Sequence, residues 1–220
     1  RIKNTALYLE KFLLKGFDVV STISPGMLNK AKEKVSDDSK LKLLPNWVNV
    51  SLFRSESNCT SDQPIVTAAE NLRRALGLST NDVVALYSGN MGKKQGLEIL
   101  ASIARMAQTS AEAKESRINF VFCGDGSGKE ELVSACRGMS NVSFLDLQPL
   151  ELLPGLLHMA DIHLLPQKPE VTDLVMPSKL TGMLASGRPV VATALDSSEL
   201  AQVVKKFGKV VRPGDAESFF

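Results

Sequence analysis

The chain has 220 residues, 44% of them hydrophobic and 23% charged, the composition of an ordinary globular α/β protein. A formal charge of +2 and 5% aromatic residues argue against a nucleic-acid surface or a base-stacking platform. Three unpatterned cysteines (Cys59, Cys123, Cys136) and two histidines (His158, His163) contain no CxxC spacing and no zinc set, so Cys123 and Cys136 read as core residues of a cytoplasmic chain.

Residues 1–15 read as an amphipathic helix with Ile2, Ala6, Leu9 and Leu13 on one face. Lys3, Glu10, Lys11 and Lys15 make it too charged to cross a bilayer, and it is expected to pack against its own domain. Neither a signal peptide nor a spanning helix is read. A strand over 18–23, a helix opening at Ser24-Pro25-Gly26 and a short strand over 41–44 follow. The chain divides near Pro45, and 55–64 has the polar composition of a linker. Beyond it, helices around 68–76, 97–107, 129–137, 149–159, 177–186 and 197–206 alternate with strands at 83–87, 118–123, 142–145, 161–165, 189–193 and 209–212. Six strands in this order predict an α/β fold with a doubly wound parallel sheet.

Within that frame, residues 176–194 carry the most information. A helix opens at Pro177 and stops at Gly187, ahead of the strand Val190-Val191-Ala192-Thr193. Lys179 places a cation in the first turn, where the macrodipole is already positive. Free N–H groups, the Ser178 hydroxyl and Lys179 together suit a phosphate; the alternative is that Ser178 merely caps and Lys179 snorkels into water. Two further strand-to-helix turns share the character. One is Gly89-Asn90-Met91-Gly92-Lys93-Lys94-Gln95-Gly96. The other is Gly124-Asp125-Gly126-Ser127-Gly128-Lys129, where Glu130 and Glu131 already satisfy the dipole. In an open parallel sheet such turns line one crevice at the carboxyl ends of the strands, which favours a phosphate-bearing ligand over solvated surface.

Familiar motifs fail. For a Walker loop, Gly128-Lys129 is followed by Glu130 and the first glycine position is Cys123; for a dinucleotide fingerprint, the third glycine position is Lys129. No G-x-S-x-G elbow occurs, and both histidines read as packed or surface residues.

A resemblance does fit. Pro45-Asn46-Trp47-Val48, Tyr87-Ser88-Gly89-Asn90 with Gln95-Gly96-Leu97-Glu98, Phe122-Cys123-Gly124-Asp125-Gly126, Ala160-Asp161 before an apolar strand, and Pro177-Ser178-Lys179 with Leu184-Ala185-Ser186-Gly187-Arg188-Pro189-Val190-Val191 occur in that order over nearly the whole chain. This set resembles the GT-B glycosyltransferases of family 4, and is most similar to the bacterial exopolysaccharide and O-antigen branch of colanic-acid-type fucosyltransferases. The resemblance implies two facing Rossmann-like domains, with a UDP- or GDP-linked sugar held mainly by the carboxyl-terminal one. It implies a fragment, inactive alone: 1–44 as a remnant of the acceptor domain, 45–64 as linker, and 65–220 as a truncated nucleotide-sugar-binding domain. It also implies hexosyl transfer to a glycan or lipid-linked acceptor in cell-surface polysaccharide synthesis, retaining, with neither metal nor cofactor. Membrane contact, at the inner face, would come through the missing domain.

Carried over by residue, Gly89, Asn90, Lys93 and Lys94 face the donor diphosphate, and Gly124, Asp125 and Gly126 lie beside the nucleotide. Residues 145–148 read the base, 168–176 face the sugar, and Pro177, Ser178 and Leu180 bind phosphate. Lys94 and Lys179 take the catalytic role, relieving charge on the leaving diphosphate; Lys93 is the weaker candidate. The chain departs from the pattern at Asn90 and Gln95, which replace an arginine and a lysine, and at Leu174 and Gly182, where the family's paired glutamates fall. Asp173 is the nearest substitute. An inactive donor-binding partner subunit and a GT-B-type sugar-nucleotide epimerase remain as alternatives; finding only Glu170 and Asp173 in the sugar-facing loop counts against the second.

Overall fold

The computed structural model describes residues 2–35, 37–53, 63–168 and 176–220. They form two compact units, one running to Trp47 and the other starting at Val48. In the first, helix α1 (Ile2–Gly16), strand β1 (Val20–Thr22), helix α2 (Pro25–Lys32) and strand β2 (Leu41–Leu43) succeed one another. The two strands pair in parallel, Val20 opposite Leu41. Ser24 starts α2 by accepting the Met27 N–H at 3.2 Å, with Pro25 at the first helical position. The small core joins Ala31, Val35 and Leu41 to Leu14, Val20 and Leu28. Leu9, Leu13 and Phe17 are exposed, as a remnant separated from its own sheet would leave them, and Leu14 is the α1 residue that packs. No described helix is long and apolar enough to cross a membrane.

The second unit is built on a parallel sheet of β3 (Val83–Ser88), β4 (Ile118–Cys123), β5 (Val142–Leu145), β6 (Ile162–Leu165), β7 (Val190–Thr193) and β8 (Gly208–Val211), in the order β5-β4-β3-β6-β7-β8. The order reverses direction between β3 and β6, the switch point at which open α/β sheets bind ligands. Alternation assigns the two faces. Ala85, Tyr87, Phe120 and Phe122 meet α4 (Glu98–Thr109) and α6 (Lys129–Ala135) in one core. Val84, Leu86, Val121 and Cys123 meet α3 (Gln63–Ala75) and α7 (Leu153–His158) in the other. Both faces are covered, which is why these strands read as unbroken apolar runs.

Several elements differ from their expected extents. The helix expected over 149–159 is a 3₁₀ turn, Leu150–Leu152, that runs into α7; Pro154 has no N–H and fits only the first turn of a helix. Two short helices, α5 (Ala111–Glu115) and α10 (Ala216–Phe219), had no periodic stripe to reveal them. Between them lie α8 (Lys179–Ala185) and α9 (Glu199–Val204).

Asp161, part of the Ala160-Asp161 motif, has a structural task. Its carboxylate accepts the Val84 N–H at 2.8 Å and lies 3.3 Å from the Arg73 guanidinium, which also donates to the Met159 carbonyl at 2.6 Å and to the Asp82 carbonyl. One arginine thus ties α3 to the amino-terminal edge of the sheet, opposite the end where the loops of interest lie.

His163 sits in β6 with no exposed surface. Its Nε2 is 2.9 Å from Ser186 Oγ, which itself donates to the Met183 carbonyl at 2.7 Å, so Nε2 carries the proton. Burial, with Arg188 adding to it, pushes its pKa down to about 4. The folded state therefore resists a proton that the unfolded chain takes up near pH 6.5. Stability is expected to fall as pH drops from 6.5 to 4, and a His163→Leu variant is expected to lose that part of the slope. Denaturant unfolding across that range checks it; identical slopes would contradict the assignment.

Candidate functional site at the carboxyl ends of the strands

The loop after β3 opens with Gly89, at φ 124°, and turns through Asn90 and the buried Met91 into a 3₁₀ turn, Lys93–Gln95. It lies main chain to main chain against the loop after β4. Gly89 N–H donates to the Cys123 carbonyl at 3.0 Å, Met91 N–H to the Asp125 carbonyl at 2.7 Å, and Gly128 N–H to the Met91 carbonyl at 2.7 Å. A side chain on the second loop would break this contact. A Cβ at Gly124 would overlap the Gly89 carbonyl oxygen, and one at Gly126 would stand 2.6 Å from Asn90 Oδ1. Gly124 and Gly126 are therefore required by the neighbouring loop, whatever else approaches them. Asp125 is exposed, and its carboxylate accepts the adjacent Gly126 N–H at 2.8 Å.

Lys179 is the side chain that structure and local rules treat most differently. It does not snorkel outward; it folds back to the end of β3, where Nζ lies 3.1 Å from the Tyr87 hydroxyl and 4.2 Å from its ring centroid. It lies beside Gly89, where a Cβ would be in ordinary contact with Nζ at 3.7 Å and the φ of 124° is what calls for glycine. Burial pushes its pKa down to about 8. A cation so placed has given up hydration, and among the described residues no carboxylate forms an ion pair with it. The Tyr87 hydroxyl in turn donates to the Asn90 carbonyl at 2.6 Å, and burial raises its own pKa well above the usual phenol range.

The remaining expected residues divide. Helix α8 begins at Lys179 rather than Pro177, and Ser178 is exposed and makes no side-chain cap bond. Leu180 is buried, and its N–H donates to the Pro177 carbonyl at 3.1 Å. That donor is engaged within the turn, ahead of any phosphate. Lys93 and Lys94 are both exposed. Lys93 borders a groove of about 890 Å³ between α4 and α6, shared with Leu97, Ala101, Leu132 and Lys168. Lys129, the weakest of the lysine-bearing turns, pairs with Asp146 at 2.6 Å, which raises the lysine and lowers the carboxylate. Gly182, at one of the missing glutamate positions, already faces Leu157 Cδ1: a Cβ there would stand 3.2 Å away. Asp173, Glu170 and Leu174 lie outside the described residues, as do Cys59 and most of the loop 168–176. Among the described residues, no group of three His, Cys, Asp or Glu side chains could hold a metal ion.

Two residues escaped the sequence reading. Tyr87 appeared there only as a letter in a motif. Gln167, just past β6, is buried with its Oε1 unpartnered, while its main chain both donates to and accepts from Thr193 Oγ1 at 2.7 and 2.8 Å. Its signal was a polar residue interrupting the end of an apolar strand.

Comparison with known proteins bears on the family and the fold. Residues 82–220 match the family described as Glycosyl transferases group 1. WcaI of Escherichia coli (strain K12), named for colanic acid biosynthesis and glycosyl transfer, is 36% identical over 209 residues, covering 94% of this chain and 48% of its own length. A D-inositol 3-phosphate glycosyltransferase of Corynebacterium urealyticum is 29% identical over 160 residues, 69% of this chain and 36% of that protein. The chain thus spans about half the length, or less, of these relatives. Among solved structures, Anabaena Alr3699/HepE in complex with UDP and glucose superposes with a TM-score of 0.72 at 17% identity, covering 97% of this chain and 55% of that one. Sucrose-phosphate synthase from Thermosynechococcus elongatus gives 0.72 at 22% identity, covering 97% and 50%. Both likenesses concern the fold.

Proposed function

This chain belongs to the glycosyl transferases group 1 family, and from that premise we propose that its second unit binds the nucleoside diphosphate of a sugar donor. The sugar would pass to a glycan or lipid-linked acceptor in cell-surface polysaccharide synthesis, as the name of WcaI suggests for that relative. The observation that carries the reading is the Lys179 ammonium, buried against Tyr87 beside Gly89 at the switch point of the sheet, with no ion pair to an acidic side chain among the described residues. A diphosphate there would restore to the lysine the charge compensation that burial removed.

In the transfer step, the bond between the anomeric carbon and the β-phosphate oxygen breaks and an acceptor hydroxyl oxygen bonds to that carbon. The hydroxyl proton leaves with the diphosphate, on which negative charge accumulates. Lys179 is placed to receive that charge without reorganisation, which is the condition for electrostatic catalysis. Lys94, exposed on the adjacent turn, would supply a second charge to the phosphates from the solvent side. The retaining outcome and the absence of a metal requirement belong to the same proposal, as do donor contacts from Asn90, Ser178 and Asp173. With helix α8 only seven residues long, the side chain of Lys179 carries more of the argument than the helix start.

Calorimetric titration of the folded 220-residue chain with UDP, GDP and ADP in metal-free buffer tests the reading. UDP is the first to try, because it accompanies Alr3699/HepE. We expect one nucleotide to bind preferentially, with affinity in the micromolar range, about −8 kcal/mol. Absence of binding by all three to a folded sample would overturn donor binding by this chain. Binding without sugar transfer by a longer form that carries the acceptor side would instead favour an inactive partner subunit.

A further inference from the structure

Tyr87 has no exposed surface, and its ring belongs to the core that joins β3 and β4 to α4. A phenylalanine would fill the same space. The hydroxyl is the part that packing does not explain, and two hydrogen bonds employ it. It donates to the Asn90 carbonyl at 2.6 Å and accepts from Lys179 Nζ at 3.1 Å, with the ammonium also 4.2 Å from the ring centroid. Its single proton points to Asn90, so a lone pair is left for the lysine. Tyr87, at the end of β3, and Lys179, on α8, are 92 positions apart in sequence.

We propose that Tyr87 is a positioning residue: its hydroxyl holds the Lys179 ammonium beside Gly89 and fixes the Asn90 carbonyl, so that loop and charge meet the donor diphosphate as one preorganised unit. This rests on the reading of Lys179 as a diphosphate ligand. Preorganisation is the physical gain. A free lysine loses rotamer entropy when it is fixed, and here much of that loss precedes binding. Tyr87 is the titratable group that faces Lys179 from β3. From its own element, the neighbours Ser178 and Thr181 are uncharged, and burial alone accounts for the direction in which the ammonium is moved.

The test is Tyr87→Phe in the 220-residue chain, with the Lys179 side chain titrated by NMR after ¹³C-lysine labelling and assigned with Lys179→Met. Removing an acceptor from a buried ammonium is expected to lower its midpoint by about 0.5 to 1 pH unit. Affinity for UDP, GDP and inorganic pyrophosphate is tested in parallel. A loss of about 3- to 10-fold is expected in Tyr87→Phe for whichever binds, and no additional loss when the change is added to Lys179→Met. An unmoved midpoint in a folded variant, or a loss that adds in full to that of Lys179→Met, would overturn positioning through Lys179. Undiminished binding by Lys179→Met alongside a shifted midpoint would remove the donor reading and leave the Tyr87–Lys179 coupling standing. If Tyr87→Phe does not fold, 3-fluorotyrosine in a Tyr8→Phe background weakens the hydroxyl as an acceptor at nearly constant size. The midpoint is then expected to shift the same way, and an unchanged value overturns the proposal.

Discussion

Lys179→Met is expected to weaken nucleoside diphosphate binding about 10- to 100-fold, the worth of one charge-assisted contact made in a partly desolvated site. The same substitution is expected to leave the protein as stable at pH 7, or to stabilise it. The sign follows from the pKa. The folded-state value is about 8, against 10.5 ordinarily, so the fold penalises the protonated lysine, fully below pH 8 and progressively less towards pH 10.5. Relative to the methionine variant, the parent should gain stability across that window. Its affinity for the diphosphate should do the opposite and decline as pH rises through about 8, because the neutral amine has no charge to offer. A residue whose removal stabilises the fold while weakening binding marks a site kept for function. Thermal unfolding and calorimetric titration from pH 6.5 to 10.5 check both trends; a folded variant that binds as the parent does would show that Lys179 is not a ligand.

Gly124→Ala should be among the most damaging small substitutions in the second unit. The backbone there has φ 147°, which side chains rarely tolerate, and the added methyl group would overlap the Gly89 carbonyl oxygen. Strain of about 1–3 kcal/mol from the dihedral joins a similar cost of overpacking against main chain that cannot rotate away. We expect a loss of roughly 3–5 kcal/mol, lowering the unfolding midpoint by on the order of 10 °C. Because the clash is with the Gly89 loop, any protein that remains folded should also have lost nucleotide affinity. Gly138→Ala serves as the control. Its φ is 80°, but nothing lies within 4 Å of a Cβ, so only the dihedral cost applies. Equal stability losses in the two variants would show that loop-on-loop packing at Gly124 is not the cause.

Much of the second unit was legible from residues 83 to 211, because β3 to β6 are short, mainly apolar runs each followed by glycine, proline or an acid, and each long helix carries an apolar stripe. What escaped were elements held by a single local contact. Helix α5 starts where Ser110 Oγ accepts the Ala113 N–H at 3.2 Å, and α10 where Asp215 accepts the Ser218 N–H at 3.0 Å. Both have a capping residue in the sequence but are too short for periodicity to register. In the first unit, α1 was legible as amphipathic, but the hydrophobic pattern did not single out Leu14 as the residue that packs.

The candidate site divides along the same line. Lysine in the first turn of a helix conflicts with the dipole whatever surrounds it, so Lys179 stood out from local rules alone. Glycines at 89, 124 and 126 likewise announce unusual backbone. The direction of the Lys179 side chain, the dependence of Gly124 on Gly89, the engagement of the Leu180 N–H and the placing of Lys93 beside the α4–α6 groove depend on partners brought near by the sheet. The amino-acid order by itself determined which segments form strands and helices, and that charge gathers at their junctions, because those follow from dihedral preference and hydrophobic period within a few residues. Only the tertiary structure decided that Tyr87 and Lys179 meet, since parallel pairing across a switch point juxtaposes residues 92 apart, and burial then converts a solvated lysine into a charge awaiting a partner.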